Sequence, residues 1–345
     1  VHRWSVVAPA FPTEVDMVTY IIRRVLISLL IVFLISIFAF SLMHVLPGDP
    51  ARISLGEEAS QEAVDELRAE WNLDKPLLTQ YWLWVSGIFT KDFGESYAFN
   101  RPVYDIISER LPRTLAIGVP AIAIAAIFGV CFGILSAVKR GKWLDQVLTV
   151  ISTLGLGTPS FWLGIFCIYV FALELKWFPV QGFTSPSKDF AKYVYMAILP
   201  VFCMSFQLQA SVARQTRSNM LEVVNQDYIR TARANGLSEA RIIFRHALKN
   251  ALIPVVTIIG LQVRIAIGGS LIVENVFNIP GIGNMLTTGV INRDYVLVQT
   301  GVLIVSLFTV GCNLLVDILY GFIDPRIRES WGCLLYTSDA ADDLT

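Results

Sequence analysis

The sequence predicts an all-α protein that crosses a membrane six times. Three observations predict it. The chain of 345 residues is 54% hydrophobic and only 16% charged, with a mean hydropathy of +0.59, whereas a soluble domain carries about 25% charged residues. Six runs reach the roughly 20 apolar residues that a helix needs to cross ~30 Å of hydrocarbon. Lysine and arginine gather on alternate connections between those runs.

Five of the runs hold no Asp, Glu, Lys or Arg: residues 25–45, 114–138, 147–173, 193–213 and 296–316. The sixth, 251–273, holds one charge, Arg264. A signal peptide is the alternative for the first run. That run is too long for one, and no small-residue cleavage site follows it. Basic residues on short connections mark the cytosolic side. With the N-terminus inside, the inner segments carry fourteen Lys and Arg and the short outer loops carry four, Lys176, Lys188, Lys192 and Arg293. Both termini are therefore expected in the cytosol. The organisation expected is a first span with an outer loop over 17–111 and a five-span core over 112–331.

The long outer loop, 46–113, is acidic, with twelve Asp and Glu against seven Lys and Arg. Ser60 is placed to cap a helix carrying Val64, Leu67 and Trp71 on one face. "PLLTQYWLWVSGIF" suits a helix lying at the membrane interface. "RPVYDIISERL" can run along the surface before the second span, with Val103, Ile106, Ile107 and Leu111 on one side.

The inner connection between the fourth and fifth runs is "DYIRTARANGLSEARIIFRHALKNALIP" (Asp227–Pro254). Two helical turns end at Gly236, which can take a positive φ as a C-cap. Ser238 is then an N-cap for a second helix, with Glu239 favoured in its first turn. Arg241, Arg245 and Lys249 recur on one face, and Ile242, Ile243, Ala247 and Leu248 on another. The expected result is a bent pair of short helices under the membrane. Positive-inside charge alone explains the basic count; a rigid knob shown to a cytosolic partner also explains the helix–Gly–helix layout.

At these residues the chain resembles the inner-membrane permease subunits of bacterial ABC importers, specifically the first permease of dipeptide and oligopeptide systems. The resemblance rests on "HVLPGDPA", "NLDKPLLTQYWLWVSGIFTKDFGESY", "RLPRTLAIG", "GTPSFWLG", "DYIRTARANGL", "GGSLIVENVFNIPGIG" and "DILYGFIDPRIR", in that order from about Met17 to Arg328. It implies a type I ABC importer permease fold. It also implies that Asp227, Arg230, Ala232, Arg233, Gly236, Leu237, Ser238 and Arg241 form the segment that couples to the ATPase. The family pattern there is Glu-Ala-Ala, three residues, then Gly. Here those positions hold Arg230, Thr231 and Ala232, and proline follows the glycine by eighteen residues. The implied partners are a second permease, two cytosolic ABC ATPases that bind ATP and Mg, and an extracytoplasmic solute-binding protein. No cofactor is implied for this chain. The same architecture carries nickel or glutathione in other members.

Arg264 lies ten residues past Pro254, roughly 15 Å along a helix and near mid-bilayer. A charge there costs at least ~2.5 kcal/mol, so it should face the bundle interior or water. It either lines a substrate path and attracts a peptide carboxylate or has a structural partner. Gly155, Gly157 and Pro159 interrupt the third run, through close helix approach or as a flexible point. Glu274 and Asn275 begin an outer loop containing "PGIG", as an outer gate or as the cap of a helix end.

Other classes are excluded or disfavoured. A net charge of −1 gives no reason for a nucleic-acid partner. Phosphate-loop, HExxH and GxSxG motifs are absent from the sequence, so neither ATP hydrolysis nor another enzymatic activity is expected of this chain. A self-sufficient secondary transporter would show repeated halves and carboxylates inside the spans; neither is expected here. Cys131, Cys167, Cys203 and Cys312 sit in apolar runs as small hydrophobes. Residues 1–16, before Met17, read as an upstream or a cytosolic extension. The tail "GCLLYTSDAADDLT", 332–345, reads as translated sequencing adapter.

Overall fold

The computed structural model describes residues 17–45, 49–56 and 58–323, apart from the side chains of residues 42, 43, 45, 264, 267, 269 and 320–323. The expected end segments, 1–16 and 332–345, lie outside the described residues.

Helix α1 (Met17–Val45) is followed by a long loop with three helices, α2 (Pro50–Leu55), α3 (Gln61–Glu70) and α4 (Leu77–Thr90). A two-stranded antiparallel hairpin, β1 (Glu95–Ser96) and β2 (Arg101–Pro102), completes the loop. Asp49 caps α2 and Ser60 caps α3, each side chain accepting a backbone N–H, at 3.3 Å. Val64 is fully buried, and α4 buries no residue. Leu78, Trp82 and Phe89 of α4 stay exposed. Its other face meets α1, where Tyr81 bonds Ser36 at 2.7 Å and stacks edge-on against Phe40.

The second span is α5 (Val103–Val138). The segment expected to run along the surface is its first three turns, continuous with the span through Pro112 and Pro120. Val103, Ile106 and Ile107 bury against Ile282, Met285 and Leu297, which straightens the segment onto the bundle. The expected division between residues 111 and 112 thus falls inside a helix.

The third span is broken. Helix α6 (Trp143–Gly157) and α7 (Ser160–Cys167), with π-helical turns over Ile168–Glu174, meet at 106° across Thr158 and Pro159. Asp145 at the start of α6 reaches Ser136 at the end of α5, whereas Gly182, beyond the π turns, donates to Phe277 at the far side. The bent pair therefore passes from one side of the bundle to the other as one interrupted crossing. Five further helices among the described residues are long and apolar enough to cross a membrane, giving six crossings.

Helix α8 (Phe190–Val224) is the central member. Cys203, Met204 and Leu208 bury among Ile117, Ala121 and Ala125 of α5, Cys167 of α7, and Ala266 and Val273 of the fifth span. A Cβ on Gly129 of α5 would lie 2.7 Å from Val212 Cβ, and one on Gly133 would lie 2.4 Å from Thr216 Cβ. Glycines one turn apart therefore let the backbones of α5 and α8 touch.

After α9 (Asp227–Ala234) the chain stays helical from Glu239 to Val276, as α10 (Glu239–Arg241), π-helical turns Ile242–Ala247 and α11 (Leu248–Val276). The residues at both junctions, Ile242 and Leu248, have right-handed helical φ and ψ. Helix α12 (Ile282–Ile291) follows, then α13 (Tyr295–Ile323), which pairs with α1 through Arg24 and Asp317, 2.7 Å apart.

Candidate functional site

The knob at the end of α8 is built on an apolar weld. In α9, Ile229 and Ala232 point inward and bury with Met220 of α8, Ala137 of α5, and Ile242, Ala247 and Ala251 of the fifth span. The helix ends in a Schellman motif: Gly236 N–H donates to Arg233 O at 2.9 Å and Leu237 N–H to Ala232 O at 3.4 Å. Gly236 supplies the required left-handed turn at φ +76°, and Leu237 returns to the apolar cluster. Asn250 donates to the Tyr228 hydroxyl at 2.8 Å, and Arg233 donates to both Glu239 oxygens at 2.7 and 3.3 Å. The two arms of the elbow are thus tied on both faces.

All eight residues expected in this segment come together, with a division of labour. Ala232 and Leu237 belong to the weld; Asp227, Arg230, Arg233, Ser238 and Arg241 are exposed on the outer face, with Arg245 and Lys249 continuing it. Two expectations are corrected. The second arm is no separate short helix, because no residue between Leu248 and Pro254 breaks the helical path, and it continues into the fifth span. Ser238 has N-cap backbone geometry, but its side chain makes no capping bond; Glu239 is held by Arg233 instead.

The knob's base carries an ion pair that the apolar runs did not announce. Asp145 accepts Arg217 Nε at 2.8 Å and Nη2 at 3.0 Å, the Gly141 N–H at 3.0 Å, and the Ser136 hydroxyl. It joins α5, α6 and α8 just above the knob. The nearest sequence signal is the lone Asp after the basic connection Lys139–Lys142.

At the opposite end, Glu274 and Asn275 lie inside the last turn of α11, not in a loop. Glu274 is fully buried, and its Oε2 accepts the N–H groups of Gly283 and Asn284 at 2.7 and 3.1 Å. Those amides open α12, so the carboxylate sits on the positive end of that helix. The carboxylate thus caps the N-terminus of α12. Asn275 donates to the Thr287 hydroxyl at 2.8 Å. From α5, Thr114 accepts the Ile282 N–H at 2.9 Å, Arg110 reaches Asn284 at 3.2 Å and Arg113 reaches Pro280 O at 3.3 Å. A Cβ on Gly281 would lie 2.4 Å from Glu274 Cδ, so the turn passes directly over the carboxylate. Asp294 caps α13 through Leu297 N–H at 3.0 Å and holds the β1–β2 hairpin through Ala98 N–H at 3.1 Å. Burial, with Asp294 beside it, pushes the Tyr97 phenol up. Arg264 lies within α11, and its side chain is outside the described residues.

Comparison with known proteins gives concordant matches. The family model described as binding-protein-dependent transport system inner membrane component matches residues 129–329, and the corresponding N-terminal model matches 17–118. The chain is 40% identical over 309 residues to the probable peptide ABC transporter permease protein y4tP of Sinorhizobium fredii, covering 90% of this chain and 99% of that one. It is 41% identical over 312 residues to the glutathione transport system permease protein GsiC of Escherichia coli K12, with the same coverage. A solved chain of the MetNI methionine ABC transporter, in inward-facing conformations, aligns with a TM-score of 0.53 at 16% identity, over 64% of this chain and 96% of that chain. That likeness shows a shared fold.

Proposed function

The chain belongs to the family of binding-protein-dependent transport system inner membrane components, and we propose that it turns the closure of a partner ATPase into alternating access for short peptides. It is a multi-pass inner-membrane permease of the ABC importer type. In our reading the knob faces the cytosol, as do both termini. A cytosolic ABC ATPase, binding ATP and Mg, grips Asp227, Arg230, Arg233 and Arg241. A second permease completes the passage, and an extracytoplasmic solute-binding protein delivers cargo. Di- and oligopeptides are the cargo class; glutathione, itself a short peptide with free carboxylates, is the alternative. Both appear in the names of relatives at about the same identity.

The observation that carries this reading is the weld. A charged outer face on a segment whose inner face is buried among α5, α8 and the fifth span can pass force into three crossings at once. A solvated loop would yield instead. Arg264 stays a proposed lining residue: Arg264→Gln should reduce uptake of peptides with a free C-terminus while assembly persists, and loss of assembly would assign it a structural role.

The test is a single cysteine at Ser238, on the exposed elbow, in cells that also express the neighbouring transport genes. We expect cross-links to a nucleotide-binding chain whose yield changes with ATP, and uptake that stops when that chain cannot hydrolyse ATP. Uptake by the purified subunit alone would overturn the proposal, as would an elbow that never cross-links to such a chain.

A further inference from the structure

A cavity of about 660 Å³, mostly apolar but with a cluster of polar side chains, opens between α5, α6 and α8, above the knob. Ser136, Thr149, Ser152, Arg214, Arg217 and Ser218 line it. Its donors are unevenly committed. Arg217 gives Nε and Nη2 to Asp145, which leaves Nη1 and balances its charge. The hydroxyls of Ser152 and Thr153 donate to the carbonyls of Leu148 and Thr149. Arg214 is exposed and has no carboxylate in ion-pair range among the described residues, and the Ser218 hydroxyl makes no hydrogen bond among them. The cavity therefore holds one uncompensated positive charge with a free hydroxyl one turn away.

Depth and neighbourhood restrict what fits. Arg214 lies ten residues before the end of α8 at Val224, so roughly 15 Å inside the knob end of that helix. Phe132 of α5, Leu148 and Leu156 of α6 and Leu221 of α8 supply apolar lining around these donors. Basic side chains in a largely apolar cavity between spanning helices match an amphiphile with one anionic head.

We propose that this cavity is a binding site for a single anionic oxygen group, with Arg214 and Ser218 as its principal donors and Arg217 Nη1 as the third. The group is the phosphate of an anionic phospholipid or the carboxylate of a transported solute. The inference rests on the chain spanning a membrane and not on the docking of an ATPase, so it survives or fails separately from the proposed function.

The experiment uses the full chain with whatever subunits co-purify, in phosphatidylcholine nanodiscs titrated with phosphatidylglycerol and read by native mass spectrometry without nucleotide. With a lipid source, Arg214→Gln weakens phosphatidylglycerol retention roughly fivefold and Arg214→Lys restores most of it. Arg140→Gln, which removes an exposed charge from the neighbouring connection, has little effect. With a solute source, lipid retention is unchanged, and Arg214→Gln raises the KM for uptake of a peptide with a free C-terminus but not for its C-terminal amide. If Arg214→Gln changes neither, or if Arg140→Gln weakens retention as much, the site does not exist.

Discussion

Ile229→Ala tests whether the knob works because it is rigid. Ile229 is fully buried between α8 and the start of the fifth span. The substitution removes three carbons, each worth about 0.8 kcal/mol of burial, and leaves a cavity that the surrounding helices close only in part. The expected cost is about 3 kcal/mol, within the usual range for Ile→Ala. Apart from the small buried Ala232, little else holds the eight-residue α9: Arg233–Glu239 is an exposed pair worth at most ~1 kcal/mol, and Tyr228–Asn250 is one neutral hydrogen bond. A loss of that size lets α9 open about a hundred times more often, at 1.4 kcal/mol per factor of ten. Hydrogen exchange read by mass spectrometry should show faster exchange over residues 227–237 by about that factor, while α5 and the core of α8 keep their protection. ATP-driven uptake should fall steeply although the chain still inserts and assembles. Unchanged protection over 227–237 would mean that the weld does not hold the knob. Lost protection with intact uptake would mean that force transfer needs no rigid elbow.

Three further substitutions probe the frame around the knob. Gly133→Leu places side-chain atoms where Thr216 and the Ala213 carbonyl already sit within 2.8 Å of the first added carbon; it should abolish the folded, detergent-stable chain, whereas Gly157→Ala, with open space around it, should leave the melting temperature nearly unchanged. Asp145→Asn strands Arg217 at the junction of α5, α6 and α8 and should cost roughly 3 kcal/mol, seen as a lower melting temperature that Asp145→Asn with Arg217→Gln partly recovers. Gly236→Val forces a β-branched residue to φ +76°, costs about 1–2 kcal/mol, and should raise exchange at the elbow, while Gly236→Asn, which tolerates that conformation, should be far milder.

Hydropathy made the crossings legible because the hydrocarbon core demands about 20 apolar residues whatever the neighbours are. It did not reveal where the helices end. Asp145, Glu274 and Asp317 sit beyond the apolar runs yet within helices, because Arg217, the first amides of α12 and Arg24 satisfy them. Those partners lie 72, 9 and 293 residues away, and only the first and last are remote enough that no local pattern could suggest them. Gly157 and Pro159 flagged a break in the third crossing, but its 106° angle is set by packing on α8 and α11. Helix α12 escaped notice because ten residues with Gly283 and Gly289 read as loop, and its start depends on the Glu274 carboxylate. In the knob, Gly236 and the basic outer face were readable from residue type. The burial of Ala232 and Leu237, which look like ordinary members of the motif, was fixed only once Met220 and Ile242 were in place.

The unbroken helical path from Glu239 to Val276 joins the elbow to Glu274. At 1.5 Å per residue it is roughly 55 Å long, longer than the hydrocarbon layer is thick. If such a rod tilts by about 10° around its midpoint, simple geometry sweeps each tip through roughly 5 Å, about the rise of one helical turn. The carboxylate that seats α12 would travel with one tip and the Arg233–Glu239 pair with the other, in opposite directions. A signal at one surface would then reach the other without any intermediate relay of side chains.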